Sequence, residues 1–138
     1  MAKILGIDYG DVRVGLAITD STNTIATGLD TLVIQGNQDV LIKKLEEILS
    51  ENDISTIVIG YPKNMDGTIS KKAVEIDKLI EKLEKLGVPV KKWDERLTTV
   101  MAYGTMRQLG IKQKEKNKFA DKLAATTILQ DYLKYISH

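Results

Sequence analysis

The sequence predicts an α/β fold in which a mixed sheet carries helices on both faces. Three observations predict it. Two short apolar runs, residues 3–9 and 12–19, are separated only by the turn residues Gly10-Asp11, which is the pattern of an antiparallel hairpin. The β-branched run 56–59 has the all-apolar character of a parallel strand covered on both faces. Elsewhere apolar residues recur at helical spacing, so strands and helices alternate as crossover units require.

A third strand is expected near residues 29–34. Gly36 and Asn37 then introduce a helix with Leu41, Leu45, Ile48 and Leu49 on one face. The strand at 56–59 closes with Gly60-Tyr61-Pro62, where proline ends it. Ser70 can cap a second helix bearing Ala73, Ile76, Ile80 and Leu83, and Gly87-Val88-Pro89 stops it before a strand that runs to about Trp93. A third helix is expected from about 98 to 109, ended by Gly110. The last, from about 117 to 135, carries Phe119, Leu123, Ile128, Leu129, Tyr132 and Ile136 on its buried side. With no repeat, linker or composition break, residues 1–138 read as a single domain.

Composition narrows the chemistry. The chain has 138 residues, 43% of them hydrophobic, enough for one core. No run approaches the roughly 20 apolar residues of a membrane helix, and Asp8 arrives before any signal-like stretch develops, so a cytoplasmic protein is expected. There is no cysteine, and the single histidine is the last residue, His138. These facts exclude disulfides and thiolate metal sites, and leave no internal histidine for a triad. An enzyme built from this chain must draw its acids, bases and ligands from Asp and Glu. Twenty Lys plus Arg against nineteen Asp plus Glu give a net charge of +1. Between Arg107 and Lys122, however, Arg107, Lys112, Lys114, Lys116, Lys118 and Lys122 face only Glu115 and Asp121, a local basic stretch suited to phosphate.

Three acids stand in unusual places. Asp8 ends the first strand on the face of Ile4 and Gly6, by period-two alternation. Alone, it is equally an Asp opening the turn at Gly10. Asp121 precedes Ala124, Ala125 and Ile128 by three, four and seven residues, so it shares their side of the last helix. Pairing with Lys118 or Lys122 near the helix start is its plainer reading. Glu95 follows the final strand in Trp93-Asp94-Glu95-Arg96-Leu97, at the carboxyl end where open α/β sheets collect functional groups. Its plainer reading is a surface ion pair with Arg96 or Lys92. If these ends converge, carboxylates about 5 Å apart repel by roughly 3 kcal/mol per pair at an effective dielectric near 20. Hard divalent cations, Mg²⁺ or Mn²⁺, relieve that repulsion with oxygen ligands alone, and they suit phosphodiester hydrolysis.

Four ordered motifs carry a resemblance over essentially the whole chain. They are Gly6-Ile7-Asp8-Tyr9-Gly10 through Arg13-Val14-Gly15-Leu16-Ala17, Gly60-Tyr61-Pro62 with Asp66-Gly67-Thr68, Asp94-Glu95-Arg96-Leu97-Thr98-Thr99, and Asp121-Lys122-Leu123-Ala124-Ala125 with Ile128-Leu129-Gln130. In these the chain resembles the YqgF family, Holliday-junction-resolvase-like proteins also described as nucleases for the 5′ end of pre-16S ribosomal RNA. The resemblance implies a ribonuclease H-like fold with a five-stranded mixed sheet flanked by helices. It also implies divalent-metal catalysis with Asp8, Glu95 and Asp121 as the acidic set, and Arg13, Tyr61, Pro62, Gly67, Arg96, Thr98 and Thr99 lining or supporting the site. Arg96 would fork onto a phosphate, and Thr98 and Thr99 would cap the helix behind it. Two acids of true junction resolvases are absent: the strand before Pro62 ends in Gly60-Tyr61, and Ala124 stands three residues after Asp121.

Structured nucleic acid is therefore the expected partner, either precursor ribosomal RNA, with ribosomal precursor particles as its setting, or a four-way DNA junction. Lys63, Arg96, Lys112, Lys114, Lys116, Lys118 and Lys122 supply the phosphate contacts, which position a backbone without reading bases. Aromatic content is 5%, so stacking on unpaired bases is expected to be limited, with Tyr61 and Trp93 as its candidates. Two other readings stay open. Asp8-Tyr9-Gly10 also resembles the phosphate loop of actin-like ATPases and sugar kinases, which need two such domains. A non-catalytic nucleic-acid-binding or ribosome-assembly factor would keep the fold without the chemistry.

Overall fold

The computed structural model describes residues 2–62, 71–94 and 113–136, with the backbone alone for residue 94 and residues 113–121. In chain order the elements are β1 (Lys3–Asp8), β2 (Arg13–Thr19), β3 (Ala26–Gly28), β4 (Leu32–Val33), α1 (Gln38–Glu51), β5 (Ile54–Tyr61), α2 (Lys71–Glu84), β6 (Val90–Asp94) and α3 (Gln113–Ile136). The sheet runs β3-β2-β1-β5-β6, and β4 pairs with β2.

The expected hairpin is present, with β1 antiparallel to β2 and Asp8 opposite Gly15. The expected crossovers are present too, since β1, β5 and β6 are mutually parallel. Among the described residues the sheet has six strands where five were expected, because the run at 29–34 does not form one strand. Ala26–Gly28 pairs with the far half of β2 and Leu32–Val33 with its start. Between them stand Leu29, Asp30 and Thr31, and Asp is a poor strand former. Asn37 caps α1 by accepting the Asp39 N–H at 3.0 Å. Ser70 and the helix expected over 98–109 lie outside the described residues.

The two faces differ. Leu5, Ile7, Tyr9, Leu16, Leu41, Leu45, Ile57, Ile59, Ile76, Leu79 and Leu83 form a large core under α1 and α2. The opposite face packs Ile4, Ala17, Ala26 and Val58 against Ala125, Ile128, Leu129 and Leu133 of α3. The helix lies low because β1 has glycine beneath it: a Cβ on Gly6 would stand 3.0 Å from the Leu129 Cβ and 3.3 Å from the Ala125 carbonyl oxygen. Gln130 fastens its outer side to the sheet, accepting the Ala26 N–H at 3.1 Å and donating to the Thr24 carbonyl at 3.1 Å. The last helix begins earlier than expected, at Gln113, and its buried side ends at Leu133, while Ile136 is 47% exposed. Apolar residues ring that end of the helix, so spacing alone does not separate the stripe over the sheet from the stripe beside it.

Replacing Gly6 by Ala should lower unfolding free energy by about 1–3 kcal/mol, as overpacking against backbone does. Gly28→Ala should cost less, because the obstruction there includes the flexible stem of Lys122. Urea denaturation of the two variants measures the difference.

Candidate active site

The parallel register sets the edge at which the functional groups emerge. Ile7 pairs with Ile59, Gly60 with Trp93, and Tyr61 with Asp94. The end of β1 at Asp8 is therefore level with Gly60 and, one strand further, with Trp93. Alternation puts Asp8 on the face of Ile4 and Gly6, and Gly60 on the face of Val58, both under α3. Two strand spacings, about 10 Å, separate β1 from β6, and the intervening position at that level, Gly60, has no side chain.

Asp8 is half-buried at the last position of β1. The turn after it depends on Gly10, since a Cβ there would come within 2.5 Å of the Arg13 carbonyl oxygen. Arg13 opens β2 and pairs with Val33. The direction of α3 follows from its contacts. Gln130 bonds at Ala26, whereas Lys122 and Thr126 lie over Gly28, further toward the Asp8 edge. The backbone at residue 121 stands about one turn before the buried Ala124 and Ala125, so it lies further toward the same edge. Glu95, the residue after β6, is outside the described residues, and so are Lys63, Gly67, Arg96, Thr98, Thr99 and Lys112. Lys114, Lys116 and Lys118 belong to the first turns of α3, of which the backbone is described. Of the acidic set, Asp8 alone has a described side chain, and no three acidic side chains converge among the described residues. Lys122 lays its stem over Gly28 and holds its ammonium 4.0 Å from Asp30.

Tyr61 ends β5 on the opposite face. Its ring packs against the core under α1 and α2, its hydroxyl donates to Asp77 Oδ2 at 3.0 Å, and Lys92 Nζ stands 4.5 Å from the ring centroid. Lys92 also reaches Asp77 at 3.1 Å. Burial first, then the hydrogen bond to Asp77 and its negative charge, raise the phenol pKa above its ordinary 10.0, with Lys92 opposing. A base stacking on the ring face under Lys92 would have to displace that ammonium.

On the same face a cleft of about 420 Å³ opens between the β1–β2 turn and the two helices, lined by Tyr9, Asp11, Gln38, Asp39, Glu75 and Lys78 among others. Gln38 organises it, donating to the Tyr9 hydroxyl at 3.2 Å and the Glu75 carbonyl at 3.0 Å while accepting from Lys82 at 2.9 Å. Glu75 is held protonated to higher pH than an ordinary carboxyl by its hydrogen bond with Asp11, then by burial and the charge of Asp11, against Lys71 and Lys78. Sequence reading found neither this carboxyl pair nor Asp77. Their partners are separated by 64 and 16 positions, and only the crossover of α2 brings them together.

A family model described as RuvX, Holliday junction resolvase, matches residues 2–135. A protein of Acetivibrio thermocellus named "Putative pre-16S rRNA nuclease" is 42% identical over 134 residues, covering 95% of this chain and 94% of that one. One of the same name from Clostridium beijerinckii is 43% identical over 138 residues, covering 98% of each. Among solved structures, Thermus thermophilus RuvC in complex with a Holliday junction substrate aligns with a TM-score of 0.58 at 15% identity, covering 99% of this chain and 96% of that one. The fowlpox virus resolvase with its Holliday junction DNA gives 0.59 at 11%, covering 99% of each. These likenesses establish the ribonuclease H-like fold expected from the motifs.

Two titrations follow from the polar network. The neutral Tyr61 phenol stabilises the fold fully below pH 10, and that contribution fades as pH climbs through the raised value. Tyr61→Phe should cost about 1 kcal/mol at neutral pH and remove this alkaline loss from a plot of Tm against pH. The Glu75 contribution is complete below pH 4.5 and lost as pH rises through its raised value. Glu75→Gln keeps a donor toward Asp11 at every pH, so it should raise Tm at pH 7, by an amount within about 1 kcal/mol for so solvated a pair.

Proposed function

The chain belongs to the RuvX family, the YqgF family of the motifs, and from that premise we propose that it is a metal-dependent endonuclease of structured nucleic acid, acting in the cytoplasm on the 5′ end of pre-16S ribosomal RNA. Residues 1–138 serve as one nuclease domain. The observation that carries the reading is the parallel register of β1, β5 and β6, which brings the strand bearing Asp8 and the strand leading to Glu95 out on one edge. The names of relatives more than 40% identical over nearly the full chain support the RNA substrate.

Asp8, Glu95 and Asp121 are the proposed ligands and catalytic carboxylates. A donor set without Cys or an internal His fits a hard cation, Mg²⁺ or Mn²⁺. What such a cation supplies is activation of a water and relief of charge on the leaving oxygen. The carboxylates fix its position and orient the water by hydrogen bonding. Arg96 holds a phosphate through its planar fork, and the threonine at 98 caps the helix expected behind it. Lys63, Lys112, Lys114, Lys116, Lys118 and Lys122, with Arg13, follow the backbone and draw the substrate in by charge, without reading sequence. Tyr61 acts through its Asp77 and Lys92 contacts, by holding the end of β5 in place. Ribosomal precursor particles are the setting this substrate implies. A four-way DNA junction is the second reading, favoured by the family description and by the resolvase fold.

Purified protein incubated with labelled pre-16S fragments and with a synthetic four-way junction, with and without Mn²⁺, tests both readings. Mn²⁺-dependent cleavage of the RNA is expected. Asp8→Asn should abolish it, by about 100-fold or more given the size of electrostatic catalytic effects, while binding survives. A variant that cuts as fast as the parent removes Asp8 from the mechanism, and an inert parent leaves only a binding role. Neutralising two lysines between 112 and 118 should lower the salt slope of binding by about 1–2 units.

A further inference from the structure

The chain has seven aromatic residues, and its one tryptophan and two of its five tyrosines meet at a single surface spot. Trp93 of β6 lies 5.9 Å from Tyr132 and 5.6 Å from Tyr135 of α3, both edge-on, and the two tyrosines are 6.3 Å apart. In each edge-to-face pair the edge of one ring meets the face of the other; Trp93 and Tyr132 are part-buried against the α3 core, and Tyr135 completes the cluster at the surface. Tyr135 is 68% exposed and Ile136 beside it 47%. A cluster serving only to close the core would bury its rings, as Tyr9 does at 2% exposure.

Two lysines flank the cluster, with Asp131 one turn before Tyr135. β6 is the last strand of the sheet among the described residues. Lys92 points to the other face, onto Tyr61 and Asp77, so alternation sets Lys91 beside Trp93 on the aromatic side. Lys91 is exposed, and Lys134 is exposed next to Tyr135. By register Trp93 is level with Gly60, two strands from Asp8. Aromatic faces flanked by ammonium groups match the chemistry of unpaired nucleotides, whose bases stack and whose phosphates seek cations.

We propose that Trp93, Tyr132 and Tyr135 form a stacking platform for unpaired bases of a single-stranded segment next to the cleavage point, with Lys91 on the phosphate. The proposal rests on the nuclease reading and specifies its substrate: a precursor whose cut site adjoins single-stranded RNA. Tyr61, the other aromatic candidate for stacking, has Lys92 Nζ 4.5 Å from its ring centroid.

Trp93 is the single tryptophan, so intrinsic emission reports this spot alone. The full chain is titrated with a ten-nucleotide oligouridylate and with a blunt RNA hairpin, for the parent and for Tyr135→Ala, which alters an exposed position. The single strand should quench most of the emission, and the hairpin should leave it nearly unchanged. Tyr135→Ala should weaken oligouridylate binding about 5- to 100-fold, the loss expected for one stacked base. Equal quenching by the hairpin, no quenching by the oligouridylate, or unaltered affinity in Tyr135→Ala would overturn the platform. So would a dimer in sedimentation that quenches emission without RNA and is lost in Tyr135→Ala, since the cluster would then join two copies of the chain. Cleavage of pre-16S fragments is followed in parallel: cutting without quenching removes the platform and keeps the nuclease, whereas quenching without cutting keeps the platform and removes the nuclease.

Discussion

The geometry of the carboxyl edge depends on how closely α3 lies against β1. At Gly6 the helix backbone is near enough that one added methyl would meet both a side chain and a carbonyl oxygen. Gln130 holds the outer flank by bonding two backbone groups of the β2–β3 region, and Ala124 and Ala125 supply the small surface such an approach needs. These contacts fix both height and direction. With the helix pinned at Gln130 and passing over Gly28 at Lys122 and Thr126, its amino-terminal half can only run toward the edge where β1 ends.

The sheet divides its labour between faces. Under α1 and α2 the core is large and aliphatic, and its polar fittings at the edge are internally satisfied: Tyr61 on Asp77, Lys92 on Asp77 and over the ring, Gln38 between Tyr9 and Glu75. Groups so committed act as supports for the strand ends. The α3 face carries a smaller core with Asp8 at its rim and the Trp93 cluster beyond it. The proposed chemistry on a nucleic acid uses this second face, where Asp8 is half-buried at the strand end and Tyr135 is exposed.

Electrostatics explains why the proposed acids need their cations. Like charges gathered within about 5 Å repel by several kcal/mol in total at a protein-like dielectric, which no fold of this size can carry without compensation. The carboxyl pair of Glu75 and Asp11 shows another response, a hydrogen bond with Asp11 that raises the Glu75 pKa. A site meant to bind phosphate cannot use that response, since protonated carboxyls hold metal weakly.

The hairpin of β1 and β2, the buried parallel β5 and the helices α1 and α2 were legible in the sequence, because each is set by local apolar spacing and by Gly, Pro and Asn at its ends. The family was legible as well, from four motifs in order. The split of the third strand was not, since pairing with β2 decided which residues of 26–34 joined a ladder. Nor was the end of the buried stripe on α3 at Leu133. The sequence by itself determined the elements and the kinds of side chain available for chemistry, because propensity, periodicity and composition act within a few residues. Tertiary structure alone decided that Tyr61 turns to Asp77 and Lys92, that Glu75 meets Asp11, and that Trp93 meets Tyr132 and Tyr135. Those contacts join positions far apart in the chain, and strand register and helix crossing, which no local pattern encodes, set which of them touch.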